Sequence, residues 1–139
     1  ALVAGSSKEV SRMMYDFGTE FGRAFQLVDD LLDLTGDPEM GKPRGTDVHE
    51  GKMTLPIIHA LTILHGSERE HLADVLTNFS DDRWNELTTL LEISGSFSYT
   101  RQLIQNHVDR ALEIISKLPP SDAKDLISEV AVISRNRKV

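Results

Sequence analysis

The chain has 139 residues, long enough to bury a core of its own, and residues 1–139 are expected to form one domain. Its 15 Lys and Arg against 22 Asp and Glu give a formal charge of −7, which argues against nucleic-acid binding because that affinity rests on basic contacts with phosphate. The absence of cysteine excludes disulfides, zinc-thiolate sites and thiol nucleophiles, and fits a reducing, cytoplasmic setting.

The predicted elements are all helices, because apolar residues recur near a period of 3.6 and no alternating β-branched run appears. No apolar run approaches the roughly 18 residues that a membrane span needs. Ala1 to Gly5 is too short for a signal-peptide core, and a start without Met leads us to expect a preceding segment. A first helix, capped near Ser7, should run to about Leu34. Thr35 to Met53 holds Gly36, Pro38, Gly41, Pro43, Gly45 and Gly51 and is expected to be loop. Thr54 is placed as the cap of a helix to about His65, with Pro56 in its first turn. Ser67 and Glu70 have capping-box spacing for a short helix to about Asn78, and Ser80 is placed to cap another to about Ile93. A long helix from about Ser96 should stop at Pro119-Pro120, and Ser121 should cap a last one to about Ser134. The sum is six antiparallel helices without a strand, repeat or linker.

The first helix carries the sharpest signal. On a helical wheel, Phe17, Phe21, Ala24, Phe25, Leu27, Val28, Leu31 and Leu32 fill a broad core arc. The opposite arc collects Tyr15, Thr19, Gly22, Gln26, Asp29, Asp30 and Asp33, small and neutral at first and then acidic, more like a cavity wall than open surface. The carboxylates work against stability. Asp29 and Asp33 form an i,i+4 like-charge pair costing roughly 0.2–0.5 kcal/mol. They also sit near a helix C-terminus, where the macrodipole disfavours anions. Two readings stay open on the triplet alone: ordinary Asp residues at a screened helix end, or oxygen ligands for a hard divalent cation. No His or Cys joins them, which argues against zinc.

The next loop brings positive charge, with Lys42 and Arg44 among Gly41, Pro43 and Gly45, and Lys52 after Gly51. Glycines let backbone N–H groups approach a phosphate while Lys and Arg neutralise it, although an ordinary solvated loop has the same composition. Gly36 to Lys42 spells the opening of a P-loop. Pro43 stands where Ser or Thr would bind the metal, and a helix precedes it instead of a strand, so it is not a Walker motif. The five His show no i,i+4 ligand pairing, Asp81-Asp82 reads as helix-start chemistry, and Trp84 and Tyr99 read as packing residues. Arg135, Arg137 and Lys138 make a basic tail that suits a helix C-terminus.

Read continuously, Gly22-Arg23-Ala24-Phe25-Gln26-Leu27-Val28-Asp29-Asp30-Leu31-Leu32-Asp33 resembles the second aspartate-rich motif of trans-polyprenyl diphosphate synthases. Gly41-Lys42-Pro43-Arg44-Gly45-Thr46-Asp47 and Glu50-Gly51-Lys52-Met53-Thr54-Leu55-Pro56 resemble the segments that follow it there, in the same order and spacing. The resemblance implies an all-α fold of antiparallel helices of the isoprenoid-synthase type, with only its C-terminal portion present. It implies condensation of an allylic diphosphate with isopentenyl diphosphate, a Mg²⁺ cofactor and a homodimer. Asp29 would be a Mg²⁺ ligand, with Asp30 and Asp33 completing the motif and its water shell. Lys42 would contact the allylic diphosphate with Lys52 close behind, and Phe25 and Gln26 would line the substrate cavity.

The family also has a first aspartate-rich motif, an upstream basic site for isopentenyl diphosphate and a Lys-Thr pair. None of these is present, since Asp81-Asp82 runs on into Arg83-Trp84-Asn85. The chain is therefore expected to hold one wall of the site, to be inactive alone, and to leave apolar surface bare. The wording around Glu50 to Pro56 looks more like geranylgeranyl and longer-chain synthases than the bacterial farnesyl type. The alternatives are a non-catalytic partner subunit and a helical interaction module that retains a diphosphate and Mg²⁺ half-site.

Overall fold

Helix α1 (Lys8–Thr35) begins where the sequence provides a cap. The Ser7 hydroxyl accepts the Val10 N–H at 3.2 Å, satisfying one of the donors that a helix start leaves open. The computed structural model describes residues 5–36 and 45–135, with side chains to 133. After α1 come α2 (Thr46–His49), α3 (Leu55–Ile63), α4 (Gly66–Thr77), a 3-10 turn (Asp81–Arg83), α5 (Trp84–Ile93), α6 (Ser96–Ser116) and α7 (Asp122–Arg135). The fold is all-α, with no strand among the described residues. No described helix is long and apolar enough to cross a membrane.

Contacts divide the chain into two compact units, residues 1–28 with 102–138, and residues 29–101. In the first, Phe17, Ala111 and Ile115 form a buried cluster with Met14, Phe21 and Ile127 packed against it. The Phe17 and Phe21 rings stack with centroids 5.7 Å apart. A polar clasp lies beside this cluster: His107 Nδ1 is 2.6 Å from Glu20 Oε2, and both side chains are 16% exposed. α6 tightens into i→i+3 bonds at Lys117 and Leu118 before Pro119-Pro120. The Lys124 ammonium donates to the Ser116 and Leu118 carbonyls, the arrangement that a helix C-terminus favours. Ser121 caps α7 by accepting the Lys124 N–H at 3.2 Å.

In the second unit, α3, α4 and α5 pack on one another through Ile57, Leu64, Leu72, Val75, Leu87 and Leu91, all buried. Leu31 and Leu34 of α1 are buried in the same unit. Large apolar side chains remain exposed on both units, Tyr15 and Ile133 on the first and Ile93 and Met53 on the second.

Several local expectations need correction. The segment expected to be loop contains the four-residue α2, held by long-range bonds that no local periodicity announces. Thr54 stands at the start of α3, but its hydroxyl makes no cap bond and is buried without a described partner. The Ser67–Glu70 capping box does not form. His65 is the residue before α4, and Gly66, at φ +56°, makes the turn from α3. Ser80 contributes its carbonyl to the Arg83 N–H, and not its hydroxyl. Tyr99 does pack, its ring stacking on His59 at 4.1 Å, but it does so at the surface, where it is 43% exposed. The P-loop reading fails as expected, since α1 runs to Thr35 ahead of that segment. The terminal basic side chains lie outside the described residues.

Candidate metal and diphosphate site

The acidic end of α1 is half-buried at Asp29, Asp30 and Asp33. Asp33 engages the start of α2 with both of its carboxylate oxygens. Its Oδ1 accepts the Thr46 N–H at 3.0 Å and its Oδ2 accepts the Asp47 N–H at 3.1 Å. Its own carbonyl accepts the Gly45 N–H at 2.8 Å. The carboxylate thus caps the first N–H groups of α2, where negative charge and hydrogen-bond acceptors are both favourable. Burial pushes the Asp33 carboxyl above its ordinary range. The Asp47 N–H opposes this, the Asp47 charge adds to it, and Thr46 and Lys52 pull the other way.

α2 is held from its other side too. Gly45 has φ +72°, a left-handed conformation, and a Cβ placed there would lie 2.4 Å from Trp84 Cζ3. Trp84 is buried, and its ring meets Phe79 edge-on, which in turn meets His49 edge-on. His49 Nε2 donates to Asp81 Oδ1 at 2.9 Å. Asp81 therefore supports α2 as well as opening the turn at residues 81–83.

Lys52 follows directly. Its N–H donates to the Asp47 carbonyl at 2.8 Å, and its ammonium lies 2.7 Å from both Asp47 Oδ1 and Glu50 Oε2. Those two carboxylates raise its pKa well above the ordinary lysine value. An ammonium has three N–H donors, and two are spent here. Phe25 and Gln26 are exposed on α1, with Phe25 at 44%. Lys42, the expected first contact for diphosphate, lies outside the described residues.

Sequence reasoning missed Asp47, Glu50, Trp84 and the His49–Asp81 pair as parts of this arrangement. Glu50 and Asp47 stand inside the motif-like segments and were open to that assignment. Trp84 and Asp81 lie more than thirty positions downstream, where spacing carries no signal.

Among the described residues, no three His, Cys, Asp or Glu converge to hold a metal ion by themselves. The donors at the end of α1 are carboxylate oxygens only. Such a set fits a hard cation held by one or two carboxylates, with water and ligand phosphate filling its remaining positions, as Mg²⁺ prefers.

The family model for polyprenyl synthetase matches residues 1–92. The chain is 34% identical over 132 residues to a short chain isoprenyl diphosphate synthase of Methanothermobacter thermautotrophicus, covering 94% of this chain and 41% of that protein. The fold superposes on a polyprenyl synthase of Caulobacter crescentus complexed with calcium and isoprenyl diphosphate, with a TM-score of 0.88 at 30% identity, over 100% of this chain and 43% of that one. A geranylgeranyl pyrophosphate synthase of Corynebacterium glutamicum, complexed with isoprenyl diphosphate and magnesium, gives a TM-score of 0.88 at 26% identity, over 98% of this chain and 40% of that one. The chain spans about two-fifths of the length of the curated relatives it matches. With two-thirds of its residues inside the family model and its helices superposing on solved synthases, the chain belongs to the polyprenyl synthetase family.

Proposed function

We propose that the chain supplies the C-terminal wall of a prenyl-transfer site, in which an allylic diphosphate condenses with isopentenyl diphosphate. In that reaction the allylic C–O bond breaks, with its electron pair leaving on pyrophosphate. The double bond of isopentenyl diphosphate attacks the allylic cation, and loss of a proton leaves a chain one isoprene unit longer. The longer-chain products named for several relatives support a geranylgeranyl or longer product. Residues 1–139 act as one part of a single synthase domain, in a cytoplasmic protein that pairs with a second copy.

Asp29 is the proposed Mg²⁺ ligand, with Asp30 and Asp33 completing the acidic motif and its water shell. When bound, Mg²⁺ neutralises the diphosphate and stabilises charge on the leaving pyrophosphate. Without a cation, this acidic wall would repel the substrate it has to hold. Lys42 and Lys52 act on the diphosphate oxygens, Lys52 through the N–H that Asp47 and Glu50 leave available. Phe25 presents an aromatic face and Gln26 an amide to the substrate.

The observation that carries this reading is the link from the Asp33 carboxylate of α1 through Asp47 to the Lys52 ammonium. Calorimetric titration of the chain with sodium pyrophosphate tests it. Binding should require Mg²⁺ and be lost in Asp29→Ala. Binding that is independent of Mg²⁺, or unchanged in Asp29→Ala, would overturn it. The isolated chain should show no prenyl transfer in the same preparation, because the opposing acidic motif is not in it.

A further inference from the structure

Asp33, at the end of α1, has both carboxylate oxygens engaged before any ligand arrives. We propose that Asp33 is a positioning residue, which seats α2 and through it Lys52, and is not a direct metal ligand. The proposal deepens the diphosphate-site reading and rests on it for what Lys52 does.

A four-residue helix such as α2 has a nucleation cost that so few internal bonds do not offset, and its first N–H groups have no partners within the helix. Asp33 supplies those partners, one oxygen to Thr46 and one to Asp47. Asp47 then passes the placement on. Its N–H is fixed by Asp33, its carbonyl accepts the Lys52 N–H, and its carboxylate takes the Lys52 ammonium. A continuous run of bonded atoms therefore links the acidic end of α1 to the ammonium. Trp84 against Gly45, and Asp81 on His49, close the far side, so α2 has a defined seat to be pulled into.

A metal ion bound directly by Asp33 would compete with two backbone N–H groups for the same oxygens and would loosen that seat. The Asp29 side chain, one turn earlier on the same helix, makes no hydrogen bond or ion pair among the described residues and faces no such conflict. The division of labour is then Asp29 toward the cation and Asp33 toward the lysine.

Two measurements on the 139-residue chain test this. The first is amide hydrogen exchange by NMR. Asp33→Ala should speed exchange at Thr46, Asp47 and Lys52, Asp33→Asn should do so less, and Asp29→Asn should leave all three alone. In the parent chain, adding Mg²⁺ and inorganic pyrophosphate should leave the Thr46 and Asp47 amides protected. Loss of their protection on adding Mg²⁺ would mean that Asp33 gives its oxygens to the metal, and would overturn the proposal.

The second is a thermodynamic cycle on Mg²⁺-dependent pyrophosphate binding, a readout that a purely structural role would not move selectively. Lys52→Ala should weaken binding about tenfold or more, as expected for one charge-assisted bond. Asp33→Asn should weaken it part of the way, and Asp33→Asn in the Lys52→Ala background should add nothing further. Additive losses would overturn the proposal. If pyrophosphate does not bind the parent chain at all, the diphosphate reading fails, and the metal-free exchange pattern alone decides whether Asp33 seats the loop.

Discussion

Gly45→Ala should be costly for two separable reasons. The first is conformational: Gly45 sits at φ +72° and ψ 17°, and an L side chain in that left-handed well costs about 1–2 kcal/mol. The second is contact. The new Cβ would lie 2.4, 3.2 and 3.3 Å from three atoms of the Trp84 ring, which is 7% exposed and has little room to retreat. Overpacking of that kind costs about 1–3 kcal/mol, giving a total of about 2–5 kcal/mol. Gly51→Ala separates the two, since Gly51 has φ +70° with nothing within 4 Å of its Cβ position, and should cost only the conformational part. Urea denaturation followed by far-UV circular dichroism gives both stabilities. Trp84 is the single tryptophan, so intrinsic fluorescence reports on the same ring without labelling. Gly45→Ala should shift its emission in the native state and Gly51→Ala should not. Equal losses in the two variants, with no change in emission, would refute the claim that the ring pins this turn.

His107→Ala should destabilise the chain by about 1–3 kcal/mol in urea denaturation, because it leaves the largely buried Glu20 carboxylate without its shortest partner. Glu86 is held down to about 2 by Arg83 first and His71 second. A carboxylate with a depressed folded pKa adds stability above its ordinary value of 4.5, and that stability is lost as pH falls toward 2. Melting curves of Glu86→Gln between pH 6 and pH 2 should therefore fall less steeply than the parent's, and parallel curves would contradict the assignment.

The long elements are legible in the sequence because their signals are local. Ser7 and Ser121 cap their helices through hydroxyl bonds that three-residue spacing announces, and Pro119-Pro120 ends α6 for want of N–H groups. The acidic end of α1 was visible for the opposite reason, as a run of like charge that local stability does not explain. What escaped were features decided at long range. α2 exists because Asp33 and Trp84 come to it from thirteen and nearly forty residues away, which no window of periodicity contains. Ser67 and Glu70 had the right spacing but lost to Gly66, whose positive φ started α4 earlier. Tyr99 had helical spacing for packing, yet its ring found His59 at the surface.

The central claim is that Asp29 serves catalysis and not the fold. Asp29→Ala, in a complete synthase carrying this segment, tests it through steady-state condensation of an allylic diphosphate with isopentenyl diphosphate, alongside thermal melting of the metal-free protein. Losing one electrostatic contact to charge that develops in the transition state typically costs on the order of 10²–10³ in rate. The same change removes a like-charge neighbour of Asp33 at a helix C-terminus, worth roughly 0.2–0.5 kcal/mol. Turnover should fall by that order, with a melting temperature no lower than the parent's. Near-parental turnover, or a metal-free protein destabilised by several kcal/mol, would contradict it.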